Sequence, residues 1–591
     1  MTKNFSALWK LWCAYALIVI LPFVTFGQSL WQDFAPIDDQ ILVSHNLMTR
    51  GPSVEHLRRA FTTFDPELYI PLTFVSYQID YAIGGLNPAI YHATNILLHA
   101  INALLVTVLL LFLLNRRKGD AVHRPYSPMG LGILAGTIFA VHPMHTEAVV
   151  WIAGRKDLLS TMFALLAWWC YARGGKRLYV ASLVFFILAL LAKVQPLILP
   201  IILLAQDLTL EKRPLSGAAK SAAPFVLLSA IFLGIALLGK ERIVENTTIL
   251  TTLFMAPRSV FFLLGTFFFP VWLSVFYPSQ AVPSFGEPTT VLSLIGMIGL
   301  LTGTWMLRKK MPMLTFGVWM FLIALTPTFI TVNKGGEFYL GSDRYIYFAS
   351  VGILIALAAL SERAKDQWMI WSGTALVAVL AIISMVQTRI WDSPQRLFAH
   401  ALEAAPHSIA ARTALATMEK STGNTAKAIS LIREGLQIQD HPRLRLALGS
   451  AYAKEGRTDE AAQEFLKAMQ QDPRNPEPYY SLGVLDEHFK DLTGAEQKYR
   501  KAIDLDPSYV TARNRLGALL MDLKRDEEAE EQFRAALAWN PNTEGVLFNL
   551  ATILAMQGKD AEALMLLEDA HALAPGEGTI TAALEQMRKK E

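Results

Sequence analysis

The chain has 591 residues, two cysteines, 53% hydrophobic and 17% charged residues and a net charge of +3. That balance excludes an ordinary soluble enzyme and a disulfide-framed secreted domain, and no stretch carries the concentrated basic face of a nucleic-acid binder. Charge is unevenly spread: residues 1–388 hold 47 Asp, Glu, Lys and Arg (about 12%, net +9), whereas residues 389–591 hold 56 (about 28%, net −6), so the front reads as a membrane body and the tail as a soluble domain.

A membrane-crossing helix needs about 20 mostly apolar residues. In chain order the candidate windows are roughly 9–26, 91–114, 129–150, 157–172, 178–192, 194–208, 222–239, 289–307, 312–331, 345–361 and 368–388, eleven crossings in all. The first lacks a small-residue cleavage site and reads as an uncleaved anchor. One further apolar window, 257–277, is broken by Pro270. If it is re-entrant or lies along the interface, 17 basic residues fall on the amino-terminal side, among them Arg116, Arg117, Lys118, Arg124, Arg173, Lys212, Arg308, Arg363 and Lys365, and 11 on the other. If it crosses, the count is 14 against 14. Because Lys and Arg collect in cytoplasmic loops, the first arrangement is preferred. It puts the amino terminus in the cytoplasm and both the first loop, 27–90, and the tail outside. The absence of eukaryotic retention signals points to a bacterial inner membrane with a periplasmic tail. The triplet Asn246-Thr247-Thr248 fits a glycosylation pattern that also occurs by chance.

Loop 27–90 begins "LWQDFAPIDDQILVSHN", which sets Asp33, Asp38 and Asp39 at the outer end of the first crossing. Adjacent side chains diverge, so one of Asp38 and Asp39 suits a general base while the other orients it or holds a donor group; a helix cap or solvated turn is the competing reading. In the second crossing His92, Asn95, His99 and Asn102 recur at spacings of three and four and share one helical face, where they bond within the bundle or mark a pathway. "VHPMHTEAVVWIAGRKD" follows, with His142, His145, Glu147, Arg155, Lys156 and Asp157. The two histidines do not make the His-Glu-x-x-His pattern, so no metal site is expected from them. Arg155 and Lys156, on the side that basic residues avoid, need an anionic partner. Lys193, in "LLAKVQP", and the stretch "NKGGEFYLGSDRYIYF", with Lys334, Asp343, Arg344, Tyr345 and Tyr347, repeat that theme on the same side. Several cations from separate loops suggest one shared anionic ligand.

In the tail, Pro473, Pro507, Pro541 and Pro575 recur every 34 residues, the tetratricopeptide period. Leu448-Gly449, Leu482-Gly483, Leu516-Gly517 and Leu550-Ala551 keep phase with them, as do Ala461, Ala495, Ala529 and Ala563 and then Phe465, Tyr499, Phe533 and Leu567. The glycine allows two helices to approach and the aromatic fills the gap to the next repeat. A degenerate unit from about 409 makes about five repeats. Such an array offers a concave groove for a protein partner.

Together these motifs ("DD" after the first helix, "IPLTFVSYQIDYAIGGLNPAIYHATNILLHAINALLV", "HPMHTEAVVWIAGRKDLLS", "SDRYIYFASVGI", then the repeats) resemble the transmembrane and tetratricopeptide-repeat protein O-mannosyltransferases and their bacterial relatives, over essentially the whole chain. The resemblance implies an all-α chain: a polytopic GT-C-like membrane bundle in 1–388, a linker in 389–407 and an α-solenoid in 408–591. It also implies an inverting glycosyltransferase that moves a sugar from a polyprenyl-phosphate-linked donor to a protein hydroxyl outside the cytoplasm. By that resemblance Asp38 and Asp39 match the acidic catalytic motif and Arg155 and Arg344 match basic loop positions suited to the lipid phosphate. Lys156, Tyr345, His145, Glu147 and His92 complete the expected substrate-binding set. In "AKVQP" relatives tend to have an acidic residue after the lysine, so no role is assigned to Lys193. A monophosphate leaving group can be neutralised by Arg and Lys, so no cofactor is required, although a divalent metal is compatible. The expected partners are membrane lipid, the lipid-linked sugar and an acceptor protein in the repeat groove. A membrane-anchored scaffold for envelope proteins and a translocator of lipid-linked glycans are the alternatives.

Overall fold

Where water is absent the backbone must satisfy its own polar groups, and the long apolar stretches accordingly fold as helices. The computed structural model describes residues 2–64, 69–116, 128–239, 248–279, 283–334, 337–361 and 366–590. Arg117, Lys118, Arg124, Asn246, Thr247, Arg363 and Lys365 therefore lie outside the described residues. Two compact units result: Met1–Asp39 with Gly51–Ala405, and Gln40–Arg50 with Pro406–Glu591.

The first unit begins with α1 (Thr2–Phe26), α2 (Val54–Thr62), α3 (Pro71–Gly84), α4 (Pro88–Asn115) and α5 (Pro128–Val141). A broken stretch with the short α6 (Thr146–Val150) leads to α7 (Arg155–Arg173), α8 (Lys176–Ala192), α9 (Leu199–Thr209), α10 (Leu215–Gly239) and α11 (Ile249–Phe268). Then come α12 (Pro288–Leu307), α13 (Pro312–Leu325), α14 (Ile346–Ser361), α15 (Asp366–Ile390) and α16 (Pro394–Ala404). A two-stranded hairpin, β1 (Asn333–Lys334) and β2 (Glu337–Phe338), pairs Asn333 with Phe338. Among the described residues eight helices are long and apolar enough to cross a membrane, and nine if α5 and the segment Pro143–Val150, bent by 53°, make one span. The eleven windows of the sequence all fold as helix, but α7 carries Arg155, Lys156 and Asp157 in its first turn, α8 has 17 residues and α9 has 11.

The ambiguous window 257–277 is helical only to Phe268, and the helix starts earlier, at Ile249, with Pro257 inside it. By length it suffices to cross. Along its length Phe254 meets Phe285, Arg258 pairs with Glu287 at 3.7 Å, Phe262 meets Tyr277 and Phe267 stacks on His142 at 4.1 Å. It also packs on α12, where the Phe261 ring lies against Gly296. The expected linker 389–407 is mostly helix, with α16 in the membrane unit as far as Ala405.

In the second unit, helix pairs α17 (Ile409–Ser421) and α18 (Thr425–Ile438), α19 (Pro442–Lys454) and α20 (Thr458–Gln471), and α21 (Pro476–His488) and α22 (Leu492–Leu505) are followed by α23 (Val510–Asp522) and α24 (Asp526–Trp539), α25 (Glu544–Met556) and α26 (Asp560–Leu573), and a final α27 (Gly578–Arg588). The helices starting at 442, 476, 510, 544 and 578 keep the period of 34. A Cβ on Gly449 would come 2.5 Å from Phe465, one on Gly483 2.7 Å from Tyr499 and one on Gly517 2.6 Å from Phe533. Each ring thus seats on the glycine of its own repeat while sharing a buried cluster with the next, Phe465 with Leu482, Tyr499 with Leu516 and Phe533 with Leu550. In the last repeat Ala551 replaces the glycine and Leu567 replaces the ring, so the pair changes together.

Candidate functional site

The loops at one end of the membrane unit build a charged cluster. Its frame is the stretch after α5. The helix stops at Val141 because Pro143 disfavours helical backbone before it, and His142 Nδ1 accepts from Met144 N at 3.3 Å. At Gly154 a Cβ would collide with the Ala148 carbonyl, so only glycine lets the turn close. The polar face of α4 holds this loop from below. Asn95 Nδ2 donates to the carbonyls of Val149 (3.2 Å) and Trp151 (3.1 Å), Asn102 Nδ2 donates to Leu158 O at 3.0 Å, and His99 Nδ1 bonds the Tyr347 hydroxyl at 2.7 Å. The three- and four-residue spacing is therefore a scaffold for the loop.

Asp39 is buried, with Oδ1 accepting from Ala153 N at 2.7 Å and Oδ2 from Ala35 N at 2.8 Å. Burial pushes its carboxyl up to about 7, against the pull of those two N–H groups. Asp38 differs: its side chain is 44% exposed and its Oδ2 lies 3.5 Å from Lys156 Nζ. The two neighbouring acids thus point apart, one clamped and one open. Lys156 Nζ sits 4.9 Å from the Trp151 ring centre and Arg344 Cζ 4.7 Å from it, so one indole faces two cations. Arg344 is held by Glu147, which accepts from its guanidinium at 2.8 Å and its backbone N–H at 2.9 Å. Ser342 Oγ fills the remaining approach to the same carboxylate at 2.7 Å. Tyr345 lies under the Arg344 guanidinium at 5.5 Å. Lys193 pairs with Asp157 at 2.5 Å and lies near enough to Lys156 to repel it; Asp38 and Asp157 attract both Lys156 and Arg344. Asp343 accepts from the Tyr277 hydroxyl at 2.7 Å, which ties the stretch after α11 to the cluster.

Three of the expected substrate contacts are internal. Arg155 has no exposed surface and its guanidinium is consumed: an ion pair with Asp80, Nε to Asn95 Oδ1 at 2.7 Å, a terminal N–H to Tyr91 O at 2.7 Å, and the faces of Tyr77 and Tyr91. His145 is buried with its nitrogens on Phe139 O (2.8 Å) and Ser350 Oγ (3.2 Å). His92 is 2% exposed, beside the backbone of Gln32, Asp33 and Val150. Glu147 is also internal and acts through Arg344. Asp38, with its side chain 44% exposed, Arg344 at 20%, the half-buried Tyr345 and the unassigned Lys193 at 19% keep exposed surface, whereas Lys156 is 5% exposed and meets Asp38 from the interior. Asp80, the partner of Arg155, lies outside the expected set, although its signal is in the sequence: a single carboxylate in the apolar run "YQIDYAIGG" demands a buried cation.

Two family models match the tail: "TPR repeat" over residues 449–485 and "Tetratricopeptide repeat" over 488–552. The tail is a tetratricopeptide-repeat array. Among curated proteins the chain is similar to protein O-mannosyl-transferase TMTC2 of Homo sapiens, 42% identical over 105 residues, which are 18% of this chain and 11% of that protein. It is also similar to human protein O-mannosyl-transferase TMTC4, 35% identical over 162 residues, 25% of this chain and 22% of that protein. The matches therefore span about a tenth to a fifth of those relatives. A solved structure described as "YrrB: a TPR protein with an unusual peptide-binding site" is 21% identical with a TM-score of 0.24, over 32% of this chain and 97% of that one.

Proposed function

We propose that the membrane unit is an inverting GT-C-type glycosyltransferase that moves a sugar from a polyprenyl-phosphate-linked donor to a protein hydroxyl on the extracytoplasmic side, while the tetratricopeptide array recruits the acceptor. The observation that carries this reading is the open carboxylate of Asp38 facing Lys156, with Arg344 across the Trp151 ring. Asp38 takes the proton from the acceptor hydroxyl. The freed oxygen attacks the anomeric carbon as its bond to the phosphate oxygen breaks, and the departing polyprenyl phosphate keeps the electron pair. Lys156 and Arg344 stabilise that growing charge in a site of low dielectric, where such contacts exceed their worth in water. Asp39 does not touch substrate in this scheme. It fastens the acidic loop to Ala153 and so fixes Asp38 against Lys156. The names of the curated relatives favour mannose as the sugar.

The test is transfer from a polyprenyl-phosphate sugar to a Ser/Thr peptide in proteoliposomes. Asp38→Asn is expected to lower turnover by about 10² to 10⁴, the range for losing a general base, with unfolding temperature unchanged. Turnover of that variant at the level of the unaltered protein would remove Asp38 from the chemistry and with it this assignment.

A further inference from the structure

Within the membrane unit, the hairpin of α12 and α13 carries a groove that the charged cluster does not use. Its volume is about 740 Å³, and Leu301, Thr302 and Trp305 of α12 face Trp319, Leu322 and Ile323 of α13 across it. Small-molecule sites have volumes of about 300–1,000 Å³. The one hydroxyl in the lining is turned away, since Thr302 Oγ1 donates to Ile298 O of its own helix at 2.7 Å. The aromatic wall is set before any ligand arrives: Trp319 Nε1 donates to Thr304 Oγ1 at 3.1 Å, and the Trp305 ring stacks on Trp319 with 6.0 Å between centres. Trp305 nevertheless keeps 55% of its surface exposed. A lining with so little to offer a polar ligand suits a hydrocarbon chain.

The mouth of the groove is cationic. α12 runs into the turn Arg308-Lys309-Lys310, and the Arg308 guanidinium lies 4.0 Å from the Trp305 ring centre while donating to Trp305 O at 2.6 Å. It therefore stands at the groove's edge, with the exposed Lys309 and Lys310 beside it. Among the described residues no carboxylate pairs with any of the three. Phe316 of α13 meets Trp168 of α7 at 5.8 Å, close to the last residue of that helix, Arg173. The basic turn thus sits at the end of the bundle away from Lys156 in the first turn of α7. α12 has 20 residues, about 30 Å of helix, so its ends reach the two headgroup layers. Cations at headgroup depth beside an apolar groove are complementary to a phospholipid with net negative charge. They oppose a second copy of the chain: two copies in one bilayer share an orientation, and a two-fold contact through the groove would set both basic turns against each other at one depth.

We propose that the groove between α12 and α13 binds one anionic phospholipid, with an acyl chain against Trp305 and Trp319 and the phosphate held by Arg308, Lys309 and Lys310. The site is independent of the transfer reading above. The experiment is native mass spectrometry of the full-length protein in detergent, titrated with phosphatidylglycerol or with phosphatidylcholine of the same acyl chains. One phosphatidylglycerol is expected to bind on the order of tenfold to a hundredfold more tightly than phosphatidylcholine, since each basic residue near an anionic headgroup contributes about fivefold. The triple change Arg308→Gln, Lys309→Gln and Lys310→Gln is expected to abolish that preference. Thr302→Phe, at an exposed position whose hydroxyl bonds only its own helix, fills the groove and is expected to lose the tightly held lipid. Lys176→Gln with Arg177→Gln removes two other exposed cations from the same end and is expected to leave the preference intact. Equal affinity for the two lipids overturns the site, as does a preference that survives the triple change or one that the Lys176 and Arg177 changes abolish equally. Unchanged binding in Thr302→Phe would place the lipid outside the groove and overturn it too. Dimeric ions of the unaltered protein that become monomeric in Thr302→Phe would assign the groove to a second copy of the chain and exclude the lipid.

Discussion

A charge with no exposed surface must be matched, and Arg155 is matched at each of its three guanidinium nitrogens. Its guanidinium is divided among Asp80, Asn95, Ser76 and Tyr91 O and lies across two tyrosine rings. Arg155→Ala strands the Asp80 carboxylate, which is 2% exposed, and the loss of one partner from a buried pair costs about 3–5 kcal/mol. The expected outcome is a fall in thermal unfolding temperature in detergent, with little of it recovered by Arg155→Lys, because an ammonium lacks the forked geometry. The double change Arg155→Met with Asp80→Leu is expected to be far less costly than Arg155→Ala alone. This residue also marks the limit of reading chemistry from sequence. That a basic pair at the head of a membrane helix needs an anion is legible; which anion satisfies which member is not. Arg155 and Lys156 are adjacent, so their side chains leave the helix in different directions: one meets Asp80 on α3, the other meets Asp38. The same divergence separates Asp38 from Asp39, and only the Ala35 and Ala153 amides decide which is clamped.

At the scale of the element, the repeats show what periodicity can and cannot supply. Helix starts at 442, 476, 510 and 544 follow from the spacing alone, yet the close seat of the aromatic on the glycine of its own repeat does not, since the spacing says nothing of how near the two come. The structure seats Tyr499 on Gly483 with no room for a methyl group. Gly483→Ala is therefore expected to cost about 1–3 kcal/mol by overpacking, read as a lower midpoint of denaturant unfolding for the repeat unit. Combining it with Tyr499→Leu reproduces the Ala551 and Leu567 pair of the last repeat and is expected to recover most of that loss. Unaltered stability in Gly483→Ala would mean that ring and glycine are not in contact. Where periodicity is missing, the reading is weaker. Residues 389–407 lack an apolar run long enough to mark a membrane element, but Ser393 Oγ accepts from Arg396 N and Pro394 occupies the first helical position, the local signals that start α16.

Within the membrane unit the charged loops sort to two ends. At one, Asp38, Lys156, Lys193 and Arg344 gather. At the other, Arg116 at the foot of α4 pairs with Glu211 at 2.9 Å and donates to Ala172 O at 2.6 Å. The loops there carry Arg173, Lys176, Arg177, Lys212 and Arg213, and such clusters are retained in the cytoplasm. α4 and α7 each run from one end to the other, whichever way α11 is counted. Glu55 on α2 and Lys176 at the start of α8 are both exposed. In a background with Cys13 and Cys170 replaced by serine, Glu55→Cys is expected to react with a membrane-impermeant maleimide on intact cells or right-side-out vesicles. Lys176→Cys is expected to react only after the membrane is opened. The reverse pattern would turn Asp38 toward the cytoplasm and remove the extracytoplasmic acceptor from the proposed reaction. Labelling of both from the same face would mean that α4 and α7 do not traverse the bilayer, and the two-ended arrangement of charge would need another cause.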